Sequence, residues 1–484
     1  VATPVIGLEI HVRLRTRTKL FCGCPNRTDL PPGDAVCPVC LGLPGTLPVP
    51  GREAVRLAAR LARALGATVA AASRFERKQY FYPDLPRNYQ ITQQEEPLAS
   101  GGEIVVGPPS RQRRVRVRRL HLEEDAARLV HGRDGTLVDP NRAGAPLVEI
   151  VTEPDLRDGR EAAACVRRLR QLVRELGVGD GDLERGTMRC DANVSLRGDD
   201  GRPAGGRVEL KNLNSLRGIA RAVAAEISRQ RDLLARGEPI VDQTRGWDER
   251  RGVTVFLRGK EEAPDYRYLP EPDLPPLVLD GALLAEGPPP GWEPPHAREA
   301  RLAGLGLDDE TATVLADSPT LTGLFDAAAA ACGDPLLAAR WLRGEWTAAA
   351  VSRGCDPAAL PVDGEVLGRL LRLLSRGELT RQAARRVFDV LVDEGGDPAG
   401  IAARLGLLGA SVADDEVDRV VAETVAAHPE QAAAWRAGKT GLLEFFVGRT
   451  LARLEGRGDP RRLRELLTAA LSGEVPPTHQ ESDG

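Results

Sequence analysis

Lysine is almost missing from this 484-residue chain, with five residues against 61 arginines. Asparagine (six) and tyrosine (five) are nearly as scarce. The pattern reads as a coding bias that displaces Lys, Asn and Tyr wherever another residue serves, so the positions that keep them are worth locating. Of these 16 residues, 15 fall between Lys19 and Tyr268, and only Lys439 lies beyond. Either the chemistry is concentrated in the first 270 residues, or the remainder is a helical Ala/Arg/Leu region with little need of such side chains. Long apolar runs are missing too. No stretch approaches the ~20 residues that span a bilayer, and no signal-like segment follows the N-terminus, so a soluble, cytoplasmic protein with no membrane partner is expected. A net charge of -4 excludes a polycation, and any nucleic acid must be held by a local basic surface. What is present is ordinary globular composition, 42% apolar and 28% charged, at a length that suits about three domains.

Residues 1 to about 295 read as mixed α/β. Val5 to Val12 alternates with period two, which makes a strand with Ile6, Leu8, Ile10 and Val12 buried and Glu9 and His11 on the opposite face. Apolar residues at helical spacing predict helices over 52–65, 160–176 and 217–234, closed near Gly66, Gly177 and Gly237. Short β-like runs occupy 115–118, 147–151, 189–196 and 207–211. Ten prolines in 264–295 leave no room for a helix or a central strand, so this stretch is a domain boundary or an extended wrapping segment. Beyond it, helices are expected over 335–352, 364–375, 380–394, 414–427, 429–437, 440–455 and 460–471. A further division is expected near Asp397-Pro398 and Gly406, and the last residues read as a frayed tail.

Cys22-Gly-Cys24 and Cys37-Pro-Val-Cys40, with twelve residues between the pairs, suit tetrahedral closure of four thiolates around Zn²⁺. Four thiolates leave no open position, so such a site is structural. Glu9 and His11, the run His121-Leu-Glu-Glu-Asp125 and the run from Glu149 to Asp155 offer carboxylates that could converge on a hard cation. A satisfied core histidine and solvated acids fit the same spacing. Lys78, Tyr80 and Tyr82 share one face by period two, as do Arg189, Asp191 and Asn193, and Arg207, Glu209 and Lys211. Lys260-Glu261 and Asp265 to Tyr268 make a further polar cluster. These faces suit a phosphorylated substrate and a solvated sheet equally. No G-x-G-x-x-G occurs, and Gly438-Lys-Thr440 lacks the first glycine of a Walker A loop because Ala433 stands there. No Ser-Ser pair occurs, so the amidase signature is absent and any ammonia must come from another chain. The six arginines of 111–119 read as a solvated hairpin face, whereas the six of 449–464 are the better candidate for phosphate-backbone contact.

Seven segments, taken in order, carry a family resemblance: Val5–Val12, Arg77–Asp84, His121–Ala126, Pro146–Asp155, Arg189–Ser195, Glu209–Ser215 and Asp265–Asp273. They resemble GatB, the B subunits of bacterial aspartyl/glutamyl-tRNA amidotransferases, and the similarity runs from Val5 to about Leu471. The resemblance implies an α+β protein: a glutamine-synthetase-like α/β cradle over 1–295 with a zinc-binding loop, an all-α helical domain over 296–405, and a YqeY-like helical tail contacting tRNA over 406–475. Residues 476–484 are then a disordered C-terminus.

The resemblance also implies a reaction, in which ATP phosphorylates the side-chain carboxylate of mischarged Glu-tRNA(Gln) or Asp-tRNA(Asn). Ammonia made from glutamine by an amidase A subunit then displaces the phosphate, within a heterotrimer completed by a small C subunit. By the same similarity His11, Glu124, Glu149 and Glu9 hold Mg²⁺; Lys78, Glu209 and Lys211 join Glu124 and Glu149 in catalysis; Tyr80, Tyr82, Arg189 and Asn193 contact substrate. Cys22, Cys24, Cys37 and Cys40 match a zinc site that some members keep. One departure is Ala127-Arg128, where the family commonly has Gly-Lys. The alternative readings are a zinc-stabilised tRNA-binding scaffold without chemistry of its own and a stand-alone metal-dependent hydrolase acting without a partner.

Overall fold

A computed structural model describes residues 2–259, 266–408, 414–454 and 460–472. Contacts divide the chain into two compact units, Val1–Ala300 and Arg301–Gly484. In the first, the alternating segment forms β1 (Thr3–Arg13), and Ile6, Leu8, Ile10 and Val12 are at most 1% exposed. Each such burial contributes about 1.5–3 kcal/mol, so the pattern leaves β1 one stable register. The strands that matter for the site follow in order: β2 (Glu76–Gln79), β3 (Tyr89–Thr92), β4 (Arg113–Glu124), β5 (Pro146–Thr152), β6 (Met188–Arg197), β7 (Val208–Lys211), β8 (Gln243–Asp248) and β9 (Val253–Gly259).

β1 is the middle of a ten-stranded sheet running β9-β8-β7-β6-β1-β5-β4 and on into Ala99–Ser100 and Thr68–Val69, with Glu103–Val106 also on β4. The one parallel pair along this run is β7–β8, and a helix makes the crossover a parallel pair needs. One sheet face is apolar and shares a single core with three helices: α1 (Arg52–Ala64), α2 (Gly159–Glu175) and α3 (Leu216–Ala235). Asp158 caps α2 by accepting from the Arg160 and Glu161 amides, and Ser215 caps α3 through the Gly218 amide. Gly66, Gly177 and Gly237, just beyond the three C-termini, all have positive φ. The three predicted helices therefore stand to within a residue or two, and so do the predicted strands except that over 115–118, which runs on to Glu124.

β2 and β3 pair as a hairpin, joined by Leu269–Pro270 of the proline-rich stretch. Within the described residues that stretch wraps back on the first unit: Leu277–Val278 pairs with Ala72–Ser73, and Arg77 is held by Glu271 and Asp273. Contrary to expectation it holds one short helix, Gly281–Ala285, capped by Asp280 in the proline-free gap between Pro276 and Pro288. Lys260, Glu261 and Asp265 lie outside the described residues, as does the expected disordered end 476–484.

The second unit is helical, which with the first makes the chain α+β. One apolar cluster runs from Leu302 to Ala402 and another from Val417 to Leu471. The stretch expected as one helix over 335–352 is three pieces: Pro335–Trp341, a π-helical turn Leu342–Trp346, and Thr347–Arg353. The wider turn accompanies burial of Trp341 and Trp346 against Phe388. Helices Asp309–Leu315, Pro319–Cys332 and Pro398–Arg404 were not expected. The run Ala327–Ala331 has no polar alternation to reveal a helical period. The last helices, Asp414–Ala426, Pro429–Arg436, Leu442–Arg453 and Pro460–Ser472, stand close to their expected bounds. No helix among the described residues is long and apolar enough to cross a membrane.

Candidate active site

The face of the sheet opposite the helices is polar, and strand register assembles it. His11 of β1 faces Glu149 of β5 on one side and Arg189 of β6 on the other, and Glu149 faces His121 of β4. One step along, Glu9 faces Asp191, and Asn193 faces Glu209 of β7. Lys78 and Tyr80 of the β2 hairpin and Tyr266 and Tyr268 close over them, leaving a cavity of about 900 Å³.

At one end, His11 Nε2 lies 3.3 Å from Glu123 Oε1 and 3.5 Å from Glu149 Oε2. His121 Nε2 lies 3.0 Å from the same Glu149 oxygen and 3.7 Å from Glu123 Oε2. Burial alone would raise the Glu149 carboxyl, yet the imidazoles of His121 and His11 hold it well below its ordinary value. Burial opposes a charge on His11, but Glu149 and Glu123 outweigh it and push the imidazole up to about 9. Ligand atoms of His11, Glu123 and Glu149 lie within 4.8 Å of one another. Two carboxylates and one imidazole at that spacing suit a divalent cation, and the oxygen majority suits a hard one.

At the other end, Lys211 Nζ bridges Asp191 (2.6 Å) and Glu209 (2.9 Å). Burial would lower the Lys211 ammonium, but these carboxylates more than offset it and raise it. Glu209 also accepts from Thr244 Oγ1, and Glu9 accepts from Asn193 Nδ2 at 2.9 Å. Burial, followed by Glu149, Glu209 and Asp191, raises the Glu9 carboxyl. Lys78 stands 4.7 Å from the Tyr266 ring centroid and stays cationic: burial is outweighed chiefly by Glu123.

The structure thus gathers Glu9, His11, Lys78, Tyr80, Glu149, Arg189, Asn193, Glu209 and Lys211 around one cavity. It does not bring in Glu124. On β4, Leu120, Leu122 and Glu124 point to one side and His121 and Glu123 to the other, because side chains alternate. Glu124 is buried away from the cluster, where its carboxylate takes hydrogen bonds from Arg87 and the Ile91 amide. Of the residues expected together, Glu9, His11, Glu124 and Glu149, the structure sets Glu123 rather than Glu124 beside His11 and Glu149, with Glu9 next to the group. Parity along the strand, counted from His121, is the signal that would have selected Glu123. Tyr82 lies past the end of β2, half exposed, stacked on Tyr80 at 5.6 Å between ring centroids. Arg189 spends one guanidinium nitrogen on Asp125, at 2.9 Å.

The four cysteines converge as their spacing implies, with all four Sγ atoms within 4.8 Å of one another. The buried Lys19 ammonium stands 3.6 Å from Cys40 Sγ, and the Cys37 amide donates to the same sulfur. A hydrogen bond from Cys22, opposed by burial, holds the Cys40 thiol down to about 4. Anionic sulfur beside a buried cation is the state that binds a metal. Of the arginines of 449–464, Arg464 pairs with Glu444, Arg453 lies 3.5 Å from Glu423 and Arg449 lies over the Phe445 ring. Arg457 lies outside the described residues.

These features define an α+β enzyme subunit, with a candidate cation site on the floor of a polar cavity and a separate thiolate cluster. Family profiles describe the rest: GatB/GatE catalytic domain matches residues 4–285, and GatB domain (YqeY type) matches 323–471. A Thermomicrobium roseum protein named as the B subunit of aspartyl/glutamyl-tRNA(Asn/Gln) amidotransferase is 44% identical over 481 residues, covering 97% of this chain and 99% of its own. A Thermus thermophilus protein of the same name is 45% identical over 96% of this chain and 98% of its own. A third, from Chlorobium luteolum, is 40% identical over 97% and 99%. The chain belongs to the GatB family of amidotransferase B subunits.

Proposed function

We propose that this chain activates and amidates the side-chain carboxylate of Glu-tRNA(Gln), Asp-tRNA(Asn) or both, as the names of its relatives indicate for them. The observation that carries the reading is the cavity itself, where His11, Glu123 and Glu149 face Lys78, Arg189 and Lys211. A carboxylate is a poor acyl donor because oxide is a poor leaving group. Transfer of the γ-phosphoryl group of ATP to one carboxylate oxygen releases ADP and gives an acyl phosphate. Ammonia then attacks the acyl carbon, phosphate departs, and the nitrogen sheds a proton to leave the amide.

Such chemistry rests on positioning and charge neutralisation. Lys78, Arg189 and Lys211 supply fixed positive charge for the phosphates. His11, Glu123 and Glu149, with Glu9 beside them, fit Mg²⁺, which when bound would offset negative charge on the phosphates. Tyr80 and Asn193 bound the substrate end, with Tyr82 stacked on Tyr80, and Asp191 and Glu209 keep Lys211 in place. The four thiolates fit structural Zn²⁺. In this reading 1–295 is the catalytic cradle, 296–405 a helical domain and 406–475 a tail that meets tRNA. Separate apolar clusters in the three regions support that partition. An amidase A subunit and a small C subunit supply ammonia and complete a cytoplasmic heterotrimer.

The test is ATP cleavage by the chain, co-expressed with A and C subunits, with and without each mischarged tRNA. Cleavage that appears only with mischarged tRNA supports the activating step and names the substrate. An intact complex that neither tRNA stimulates would favour a tRNA-binding scaffold.

A further inference from the structure

Glu124 is left without a role once Glu123 takes its place in the cavity, yet it is one of the best-anchored carboxylates in the protein. Its side chain is 5% exposed, and that of its partner Arg87 is 7% exposed. Arg87 Nη1 donates to Glu124 Oε1 at 2.6 Å, while Nη2 donates at 2.6 Å to the carbonyl of Val39, between Cys37 and Cys40. Glu124 in turn receives the Ile91 amide at 3.1 Å on its carboxylate and Gln90 Nε2 at 2.8 Å on its carbonyl. Gln90 is the register partner of Lys78. One guanidinium therefore ties three elements together: the cysteine knuckle, the hairpin that carries Lys78 and leads to Tyr80, and the end of β4 that carries Glu123.

Packing at this junction leaves no slack. Gly42, beside the knuckle, has φ +66°, and a Cβ there would lie 2.3 Å from Arg87 Cγ and 3.2 Å from its Cα. Gly144, also at positive φ, has room for a Cβ only in contact with Cys40 Cβ (3.4 Å) and Glu124 Oε2 (3.8 Å). Glu123 and Glu124 are consecutive residues of one strand, so a shift of one carries the other. A misplacement of about 1 Å at a reacting centre can cost about 10²-fold in rate.

We propose that Arg87 and Glu124 are a positioning pair that fixes Glu123 and the Lys78–Tyr80 hairpin against the cysteine knuckle, so that an intact knuckle sets the geometry of the cavity. The proposal rests on the functional reading above for its rate measurement and on geometry alone for its metal-release measurement. Arginine suits the role because its rigid planar fork aims a separate nitrogen at each acceptor, where a lysine would serve both from one freely rotating ammonium.

The experiment compares Arg87→Lys, Gly42→Ala and Glu124→Gln with the parent chain, each in its complex with the partner subunits. It reads kcat and KM for ATP cleavage, the Mg²⁺ concentration for half-maximal rate, bound zinc, and the rate of zinc release to 4-(2-pyridylazo)resorcinol. Arg87→Lys is expected to lower kcat about 10- to 100-fold with KM for ATP within about threefold. Zinc content stays at the parent level, while release quickens about tenfold or more. Gly42→Ala, outside the cavity, is expected to repeat both changes, and the double variant to be little worse than either single one, because both act through one contact. If Arg87→Lys does not fold, Gly42→Ala carries the test alone. A kcat within about twofold of the parent in a folded, zinc-loaded variant would overturn the proposal, as would faster zinc release with unchanged kcat. A large rise in the Mg²⁺ midpoint for Glu124→Gln alone would make Glu124 a cation ligand and overturn it too. A parent complex with no ATP cleavage sinks the functional reading instead; the pairing then stands or falls on zinc release.

Discussion

Between Glu123 and Glu124 there is one step along β4, and that step decides which carboxylate reaches the cavity. His121 and Glu123 share a face by alternation, and register sets them beside Glu149 and His11. Glu149→Gln keeps the shape and removes the charge that both imidazoles offset. The Mg²⁺ concentration for half-maximal ATP cleavage is expected to rise about 10- to 100-fold, read from a metal titration, and the melting temperature to fall, because two largely buried imidazoles lose the carboxylate they face. An unchanged midpoint would take Glu149 out of the cation site. Lys211→Met leaves Asp191 and Glu209 without their cation. It should lower kcat by about 10²-fold and also lower the melting temperature, because two partly buried carboxylates lose the charge they face. Wild-type kcat in that variant would remove Lys211 from the phosphate end.

At the scale of elements, two helices pack closely behind the sheet whose other face lines the cavity. Gly159 opens α2, and a Cβ there would lie 2.1 Å from the carbonyl oxygen of Ala220 in α3. Gly159→Ala therefore forces the helices apart, although alanine favours a helix. Denaturant unfolding should show a loss of about 1–3 kcal/mol, and a gain in stability would mean that the contact relaxes without cost. The helix bounds here were legible because apolar periodicity and the glycines after each C-terminus agree. The middle of the second unit was less so: an alanine run carries no polar face, and the π-helical turn around Trp346 follows from how the indoles fit against Phe388, a contact far along the chain.

For the molecule as a whole, the apolar cluster of Val417–Leu471 shares no residue with that of Leu302–Ala402. A chain ended near residue 405 should keep both its remaining cores, and circular dichroism should show them folded. With the arginines of the tail gone, the KM for tRNA is expected to rise about tenfold or more while KM for ATP stays within about twofold. An unchanged tRNA KM would remove the tail from the tRNA site.

Sequence alone determined a good deal. Period-two alternation placed Glu9 and His11 opposite a buried apolar row, two short cysteine spacings brought four thiolates to one point, and seven ordered motifs named the family. All of these are local in the chain, so local geometry suffices to read them. Tertiary structure decided which carboxylates meet. His11, Glu123 and Glu149 come from three strands whose neighbours are fixed by register, and no local pattern states that register. It likewise decided what Glu124 does, since Arg87 and Val39 reach it only when hairpin, knuckle and strand end are packed together. Scarce lysines pointed to the right region of the chain; only the hairpin folded over the sheet put Lys78 and Lys211 at the same cavity.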